Sequence, residues 1–259
     1  MDGLAAFQQN STGLFRELPA YLPLARFWQE DGLFVGISGW NLSAFNNAFI
    51  LDERQVSPQQ LERPREIFAQ GNLPFSVIVY SQQAVPACDA LLKAHDYFDI
   101  FTDQVMIRED PSLLSQHAAP AVDIRVVTSP QERADFLDVV VNAFDLPPSM
   151  PIELFSDLLR VPLFHPMIAY MNNIPVGSGM LLYCQGIAAV YNVGTVTTMR
   201  NRGVGTAMVK ALHLRACQGG YQGTVLASTP SGYSLYQHLG YRLGGYQITY
   251  SPVEYLNGP

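Results

Sequence analysis

Apolar and polar positions in the C-terminal half switch repeatedly between strand and helix periods. Residues 123–128 form a β-rich run. Ser129-Pro130 then supplies an N-cap and a first-turn proline for a helix through about Ala143. Residues 151–160 read as a second short helix and 166–172 as a strand ended by Asn172-Asn173. Two apolar runs, 176–184 and 187–195, pair across Gln185-Gly186 as a hairpin. A helix is predicted over 202–218, stopped by Gly219-Gly220, and a strand over 224–228. Thr229-Pro230 opens another helix, closed by Gly240 at the position after the C-cap, where a positive φ is wanted. Residues 242–244 and 247–250 are the last strands.

The N-terminal half shows a shorter version of this order. Runs 33–40 and 44–51 are apolar and uncharged, 57–70 reads as a helix, 75–80 as a strand, 86–95 as a helix and 99–108 as a strand-rich tail. The parallel with the C-terminal half lies in element order, not in residues. It suggests two related units, with two unrelated α/β units as the alternative. The stretch 110–121 has two prolines, small residues and no sustained period, so it reads as a linker. The expectation is an α/β chain built on mixed sheets, with domains at 1–118 and 119–259.

Charge changes the picture modestly. The 259 residues carry a net charge of −7, which argues against nucleic-acid binding through a basic stripe. Only 14% are Asp, Glu, Lys or Arg, so solubility leans on neutral polar side chains. Cys88, Cys184 and Cys217 are widely spaced and form no metal or disulfide pattern, which fits a reducing compartment. Residues 176–199 contain no charged side chain or histidine, a length that could span a bilayer. The break at Gln185-Gly186 makes the segment a buried hairpin, and the cytoplasm is the expected location, with no membrane partner.

The segment that carries chemistry runs from Val193 to Met208. A strand leads through a polar turn into a helix, with glycines at the junction. The first backbone N–H groups of a helix have no partner inside it and carry partial positive charge, so the junction is a candidate phosphate cradle. A P-loop would need a lysine that is missing. A dinucleotide fingerprint fits Gly203 and Gly205 but meets Met208 at its third position. The pattern R-x-x-G-x-G is met in full by Arg200, Gly203 and Gly205.

Here the chain resembles the GNAT superfamily of N-acetyltransferases, whose pyrophosphate loop has this form after the fourth strand. A second match follows at the right distance, where Leu235-Tyr236 and Gly240-Tyr241 fit the family's L-Y-x-x-x-G-[FY] segment. The resemblance covers residues 122–250, about half the chain. It implies acetyl-CoA as acyl donor and no metal. The donor's pyrophosphate would rest on Arg200, Asn201, Arg202, Gly203, Val204, Gly205 and Thr206, with Lys210 and Arg215 as candidate phosphate contacts. Val193, Gly194 and Thr195 would pair with the pantetheine amides, and Ser228 would touch that arm. Tyr236 would protonate the leaving thiolate, with Tyr233 as substitute.

The fourth strand lacks the glutamate that many relatives use as general base. Glu153, Asp157 and His165 come from the region that shapes the acceptor pocket, and a water chain is an equal option. Residues 52–72 hold one glycine, Gly71, so the N-terminal half has no equivalent loop and one acyl-CoA per chain is expected. The implied activity is acetyl transfer to a primary amine, on a small molecule or a peptide. An acyl-CoA-binding sensor without turnover is the alternative. The acceptor and the oligomeric state are left open.

Overall fold

A computed structural model describes residues 1–110, 122–147 and 152–255. The expected linker lies, from residue 111 on, outside them. The helices are α1 (Gly3–Glu17), α2 (Pro58–Ala69), α3 (Asp89–Ala94), α4 (Pro130–Phe144), α5 (Ile152–Leu158), α6 (Val204–Gln218) and α7 (Tyr233–His238). The strands of the first half are β1 (Arg26–Glu30), β2 (Leu33–Ile37), β3 (Asn46–Ile50), β4 (Ser76–Ser81) and β5 (Tyr97–Arg108). Those of the second are β6 (Asp123–Val126), β7 (Phe164–Met171), β8 (Ile174–Cys184), β9 (Ile187–Thr195), β10 (Thr224–Ser228) and β11 (Arg242–Pro252).

The chain divides into two compact units that are not contiguous in sequence. One holds residues 2–106, 227–230 and 243 onward; the other holds Met1, 107–226 and 231–242. The division differs from the expected cut at 118/119. Its physical reason is β11, which pairs antiparallel with β4 from Tyr246 opposite Ser81 to Tyr250 opposite Val77. The two short strands expected at 242–250 are one continuous strand. Gly244 and Gly245 do not break it; they make room. A Cβ on Gly244 would stand 3.3 Å from Gly3 Cα, and one on Gly245 would stand 2.8 Å from the Ser81 carbonyl.

In the N-terminal unit the strand order is β1-β2-β3-β4-β11-β5. β1, β2 and β3 are antiparallel neighbours, and β3 and β4 run parallel with α2 as the crossover. Leu33, Val35, Ala48, Ile50, Val77 and Val79 line one core with Leu61 and Phe68 of α2. On β2, Gly36 lets α1 approach, since a Cβ there would lie 2.2 Å from Phe15 Cγ. Sequence reading gave no element before residue 33. The apolar stripe of α1 is interrupted by Asn10, Ser11 and Thr12, yet all three are buried. Ser11 and Thr12 donate to the Phe7 and Gln8 carbonyls at 2.9 Å, so the helix satisfies its own hydroxyls.

In the C-terminal unit the order is β10-β9-β8-β7-β6. β6 to β9 are antiparallel neighbours, and β9 and β10 are parallel with α6 as crossover. The expected hairpin 176–195 is present. Its turn residues, Gln185 and Gly186, have φ of 51° and 74°, as a two-residue type I′ turn requires. Along the sequence, β2-β3-α2-β4-α3-β5 and β8-β9-α6-β10-α7-β11 share one order of elements, although β11 belongs to the N-terminal unit. Among the described residues no helix is long and apolar enough to cross a membrane.

Two helices cover opposite faces of this sheet, and glycines set their distance. Ser178 and Gly194 face α4, whose Ala143 Cβ lies 2.8 Å from where a Gly194 Cβ would stand. Gly177 and Gly179, one position either side of Ser178, face α6. A Cβ on Gly177 would meet Val204 Cγ1 at 2.5 Å, and one on Gly179 would meet Met208 Cγ at 2.7 Å. Val204 is β-branched and its rotamer is nearly fixed in a helix, so it cannot swing away. Gly177→Ala should destabilise the protein by about 1–3 kcal/mol through overpacking, measured by urea unfolding. An unchanged midpoint would show that α6 rides higher over the sheet.

Candidate functional site

The site begins with an irregularity in β9. Ser178 pairs with Gly194 and Met180 with Tyr191, so β9 has one residue more than β8 between these points. Asn192, inside that bulge, has φ 53°. Its carbonyl accepts from the buried Ser178 hydroxyl at 3.0 Å. Upstream, Ala188, Ala189 and Val190 are buried; Val193, Gly194 and Thr195 are half-buried. The bulge thus carries the strand out of the core just before the turn.

The turn is held from below by Arg200. Its Nη2 donates to the Ala143 carbonyl at 3.0 Å and its Nε to the Thr195 carbonyl at 3.3 Å. Ala143 lies in the last turn of α4, whose carbonyls lack partners inside the helix. Arg200 therefore joins a helix end to a strand end, a role the motif did not disclose. Asn201 (φ 61°) and Gly203 (φ 80°) then turn the backbone left-handed, and α6 starts at Val204, two residues later than expected.

Among the described residues no side chain caps α6. Its first turn holds Val204, Gly205 and Thr206 ahead of Ala207, whose N–H reaches the Gly203 carbonyl at 2.9 Å. Other long helices close this end: α1 is capped by Asp2, α2 by Ser57 with Gln60, and α4 by Ser129 with Glu132. Asn201 and Arg202 are exposed, Gly205 and Thr206 half-buried. The charge around them was missed by sequence reading and is legible there. From 158 to 253 the chain has no Asp or Glu and six Lys or Arg, within a protein of net charge −7.

The second motif packs beside the first. Leu235 of α7 lies against the α6 start, since a Gly205 Cβ would stand 3.3 Å from Leu235 Cδ2. Tyr236 is 8% exposed and its phenol is pushed up to about 12 by burial, so it keeps its proton at neutral pH. Tyr233, one turn earlier, is half-buried. Ser228 is buried, donates to the Thr229 carbonyl at 2.8 Å and falls among residues 227–230 of the N-terminal unit. The structure does not gather it with the α6 start inside one unit.

The remaining candidates separate from this site. Asp157 pairs with Arg160 at 3.4 Å; the Glu153 side chain lies outside the described residues. His165 packs on Tyr183 with ring centroids 4.5 Å apart, and burial, with the Arg215 charge, lowers its pKa. Arg215 belongs to the last turn of α6, about 16 Å along the axis from its start at 1.5 Å per residue. Lys210 is half-buried, one to two turns into α6. Among the described residues no group of three or more His, Cys, Asp or Glu could hold a metal ion.

With this geometry in view, the solved structures are informative. The chain is similar over 97% of its length to a GCN5-related N-acetyltransferase from Kribbella flavida, covering 95% of that chain, with a TM-score of 0.75 and 19% identity. A GCN5-related N-acetyltransferase from Sphaerobacter thermophilus matches 85% of this chain and 76% of its own, with a TM-score of 0.62 and 15% identity. A GCN5-related N-acetyltransferase-like protein from Streptococcus suis matches 94% and 98%, with a TM-score of 0.54 and 16% identity. No family model and no curated protein matches the chain. The chain has the fold of the GCN5-related N-acetyltransferases, and the likeness extends well beyond the C-terminal half that carries the motifs.

Arg200 offers a direct test of the loop. Arg200→Ala removes both carbonyl contacts and should lower the unfolding free energy by about 1 kcal/mol, read by thermal or urea denaturation. A variant as stable as the wild type would mean that those bonds are replaced by water at no cost.

Proposed function

We propose that the chain is an acyl-CoA-dependent N-acyltransferase that moves an acetyl group from acetyl-CoA to a primary amine. One observation carries the reading: a helix start left open by side chains, shaped by R-x-x-G-x-G, in the fold of N-acetyltransferases. The donor's pyrophosphate would lie on the N–H groups of residues 201–206, where the α6 dipole and the acid-free stretch favour an anion. Arg202 and Lys210 add charge there. Arg200 acts chiefly by holding the loop. The donor's pantetheine arm would run along Val193, Gly194 and Thr195, which the bulge has lifted from the core. The amine then attacks the thioester carbonyl in a ternary complex, and a β9 N–H faces the developing oxyanion.

Tyr236 supplies the proton for the leaving thiolate. Its raised pKa keeps it protonated but makes it a weak acid, and a thiolate of pKa near 8.5 can leave unaided. The contribution is therefore moderate. Tyr236→Phe should keep acetyl-CoA affinity and lower kcat by about 10²-fold, since the ring and its packing remain. Wild-type turnover in this variant between about pH 6 and 9 would make Tyr236 a packing residue and Tyr233 or water the acid.

Acid-free residues 158–253 also favour a second reading, a sensor that binds acyl-CoA without turnover. No carboxylate of β7 to β10, α6 or α7 can take the proton of the incoming amine. In the first reading water carries that proton away. Release of free CoA thiol on mixing with acetyl-CoA and a panel of small-molecule and peptide amines supports transfer. Binding without thiol release supports the sensor.

The N-terminal unit is read as a degenerate repeat without a donor site. The position matching the cradle, the start of α2, is closed by the Ser57–Gln60 capping box. A surface cavity of about 690 Å³ beside it is lined by Glu30, Asp31 and Asp52, which repel phosphate. Arg63, the cation there, lies over the Trp28 ring and pairs with Glu66. Among the described residues Cys88, Cys184 and Cys217 form no disulfide, in keeping with a cytoplasmic enzyme. Calorimetry should give one acetyl-CoA per chain. The double change Gly203→Val with Gly205→Val should abolish binding while circular dichroism stays native. Two equivalent sites, or normal binding by the double variant, would refute the assignment.

A further inference from the structure

Tyr236 sits on a helix of six residues, too short to hold its own orientation. Something else must fix it. Gly240 (φ 82°) folds the chain back, and the Tyr241 N–H donates to the Tyr236 carbonyl at 3.0 Å. The Tyr241 ring meets the Tyr236 ring edge-on, with centroids 5.7 Å apart at 71°. Tyr241 is in turn anchored at its far end. Its hydroxyl lies 2.6 Å from Thr224 Oγ1, which lies 2.8 Å from His213 Nδ1; His213 Nε2 lies 3.2 Å from the Asp110 carbonyl. Thr224, His213 and Tyr241 are each at most 2% exposed.

The direction of every bond follows from its end. A carbonyl only accepts, so His213 Nε2 carries the proton and neutral Nδ1 accepts from Thr224. Thr224 Oγ1 then accepts from Tyr241. Burial and the neighbouring Arg108 charge lower the His213 pKa and keep the ring neutral, against the opposing pull of Asp110. The chain of bonds ties the segment that follows α7 to β10 and α6, and Cys217 Sγ also lies 3.7 Å from His213 Nε2.

We propose that Tyr241, Thr224 and His213 form a positioning device that holds the Tyr236 phenol at its working orientation. It rests on the reading of Tyr236 as the acid. Tyr241 touches no substrate in this scheme; it acts through Tyr236.

A double-mutant cycle tests it, with steady-state kinetics on the full chain, acetyl-CoA and the amine that gives turnover. Tyr241→Phe and Thr224→Val should each lower kcat about tenfold, with KM for acetyl-CoA unchanged, because a displaced reacting group costs rate more than binding. Thr224→Ser keeps the hydroxyl and should retain wild-type kcat. In the Tyr236→Phe background, Tyr241→Phe should cost nothing further. Additive losses, a shared rise in KM, or wild-type kcat in Tyr241→Phe would overturn the proposal and leave the Tyr236 reading intact. Wild-type kcat in Tyr236→Phe alone would end both. A readout independent of turnover is NMR of ring-labelled tyrosine. The Tyr236 ring signals should shift and broaden in Tyr241→Phe and in Thr224→Val. Unchanged signals would overturn the proposal even in a protein that only binds acyl-CoA.

Discussion

The unpaired N–H groups at the start of α6 are the constraint around which the C-terminal unit is organised. A helix start buried or half-buried without partners is costly unless water or a ligand supplies them. This chain keeps that cost rather than removing it. Gly203 takes the left-handed conformation that a capping serine or aspartate would not need. Arg200 spends its guanidinium on two backbone carbonyls and steadies the turn in front. The bulge at Asn192 frees the strand that leads in, and Leu235 brings α7 against the first turn. In the proposed reaction these features would together receive the donor's pyrophosphate and its arm.

The two units finish a comparable helix start in two different ways. Both place a helix between the second strand of a hairpin and its parallel neighbour. In one, Ser57 and Gln60 satisfy the helix start reciprocally, and Glu30, Asp31 and Asp52 line a cavity with them. In the other, glycines expose it and acids are excluded over 158–253. A capping box stabilises a helix by about 1 kcal/mol and fills the space a phosphate would occupy. On the proposed reading, capping and ligand binding would compete for the same N–H groups, and the starts of α2 and α6 resolve that competition in opposite ways.

Net charge misleads about the site for the same reason. The chain is acidic overall, yet the stretch that supplies β7 to β10, α6 and α7 carries no carboxylate. Surface charges are screened within about 10 Å, so the protein's sum says little about the charge beside the α6 start. The same exclusion leaves no carboxylate on these elements to act as general base, which is why water has that part in the proposed reaction.

Much of this was legible in residues. The Ser129-Pro130 helix start, the Gln185-Gly186 turn and the Arg200, Gly203, Gly205 spacing are local signals, readable because neighbours in sequence are neighbours in space. The acid-free stretch was equally plain. α1 was not, because its buried Ser11 and Thr12 look like loop residues until their hydroxyls are seen to bond back within the helix. Tertiary structure alone decided the rest. It set β11 against β4, put the Arg200 guanidinium on carbonyls 57 and 5 residues away, and gathered His213, Thr224 and Tyr241 into one chain of hydrogen bonds. Pairings of this kind join distant segments through side-chain reach and strand register, and nothing local in the sequence encodes them.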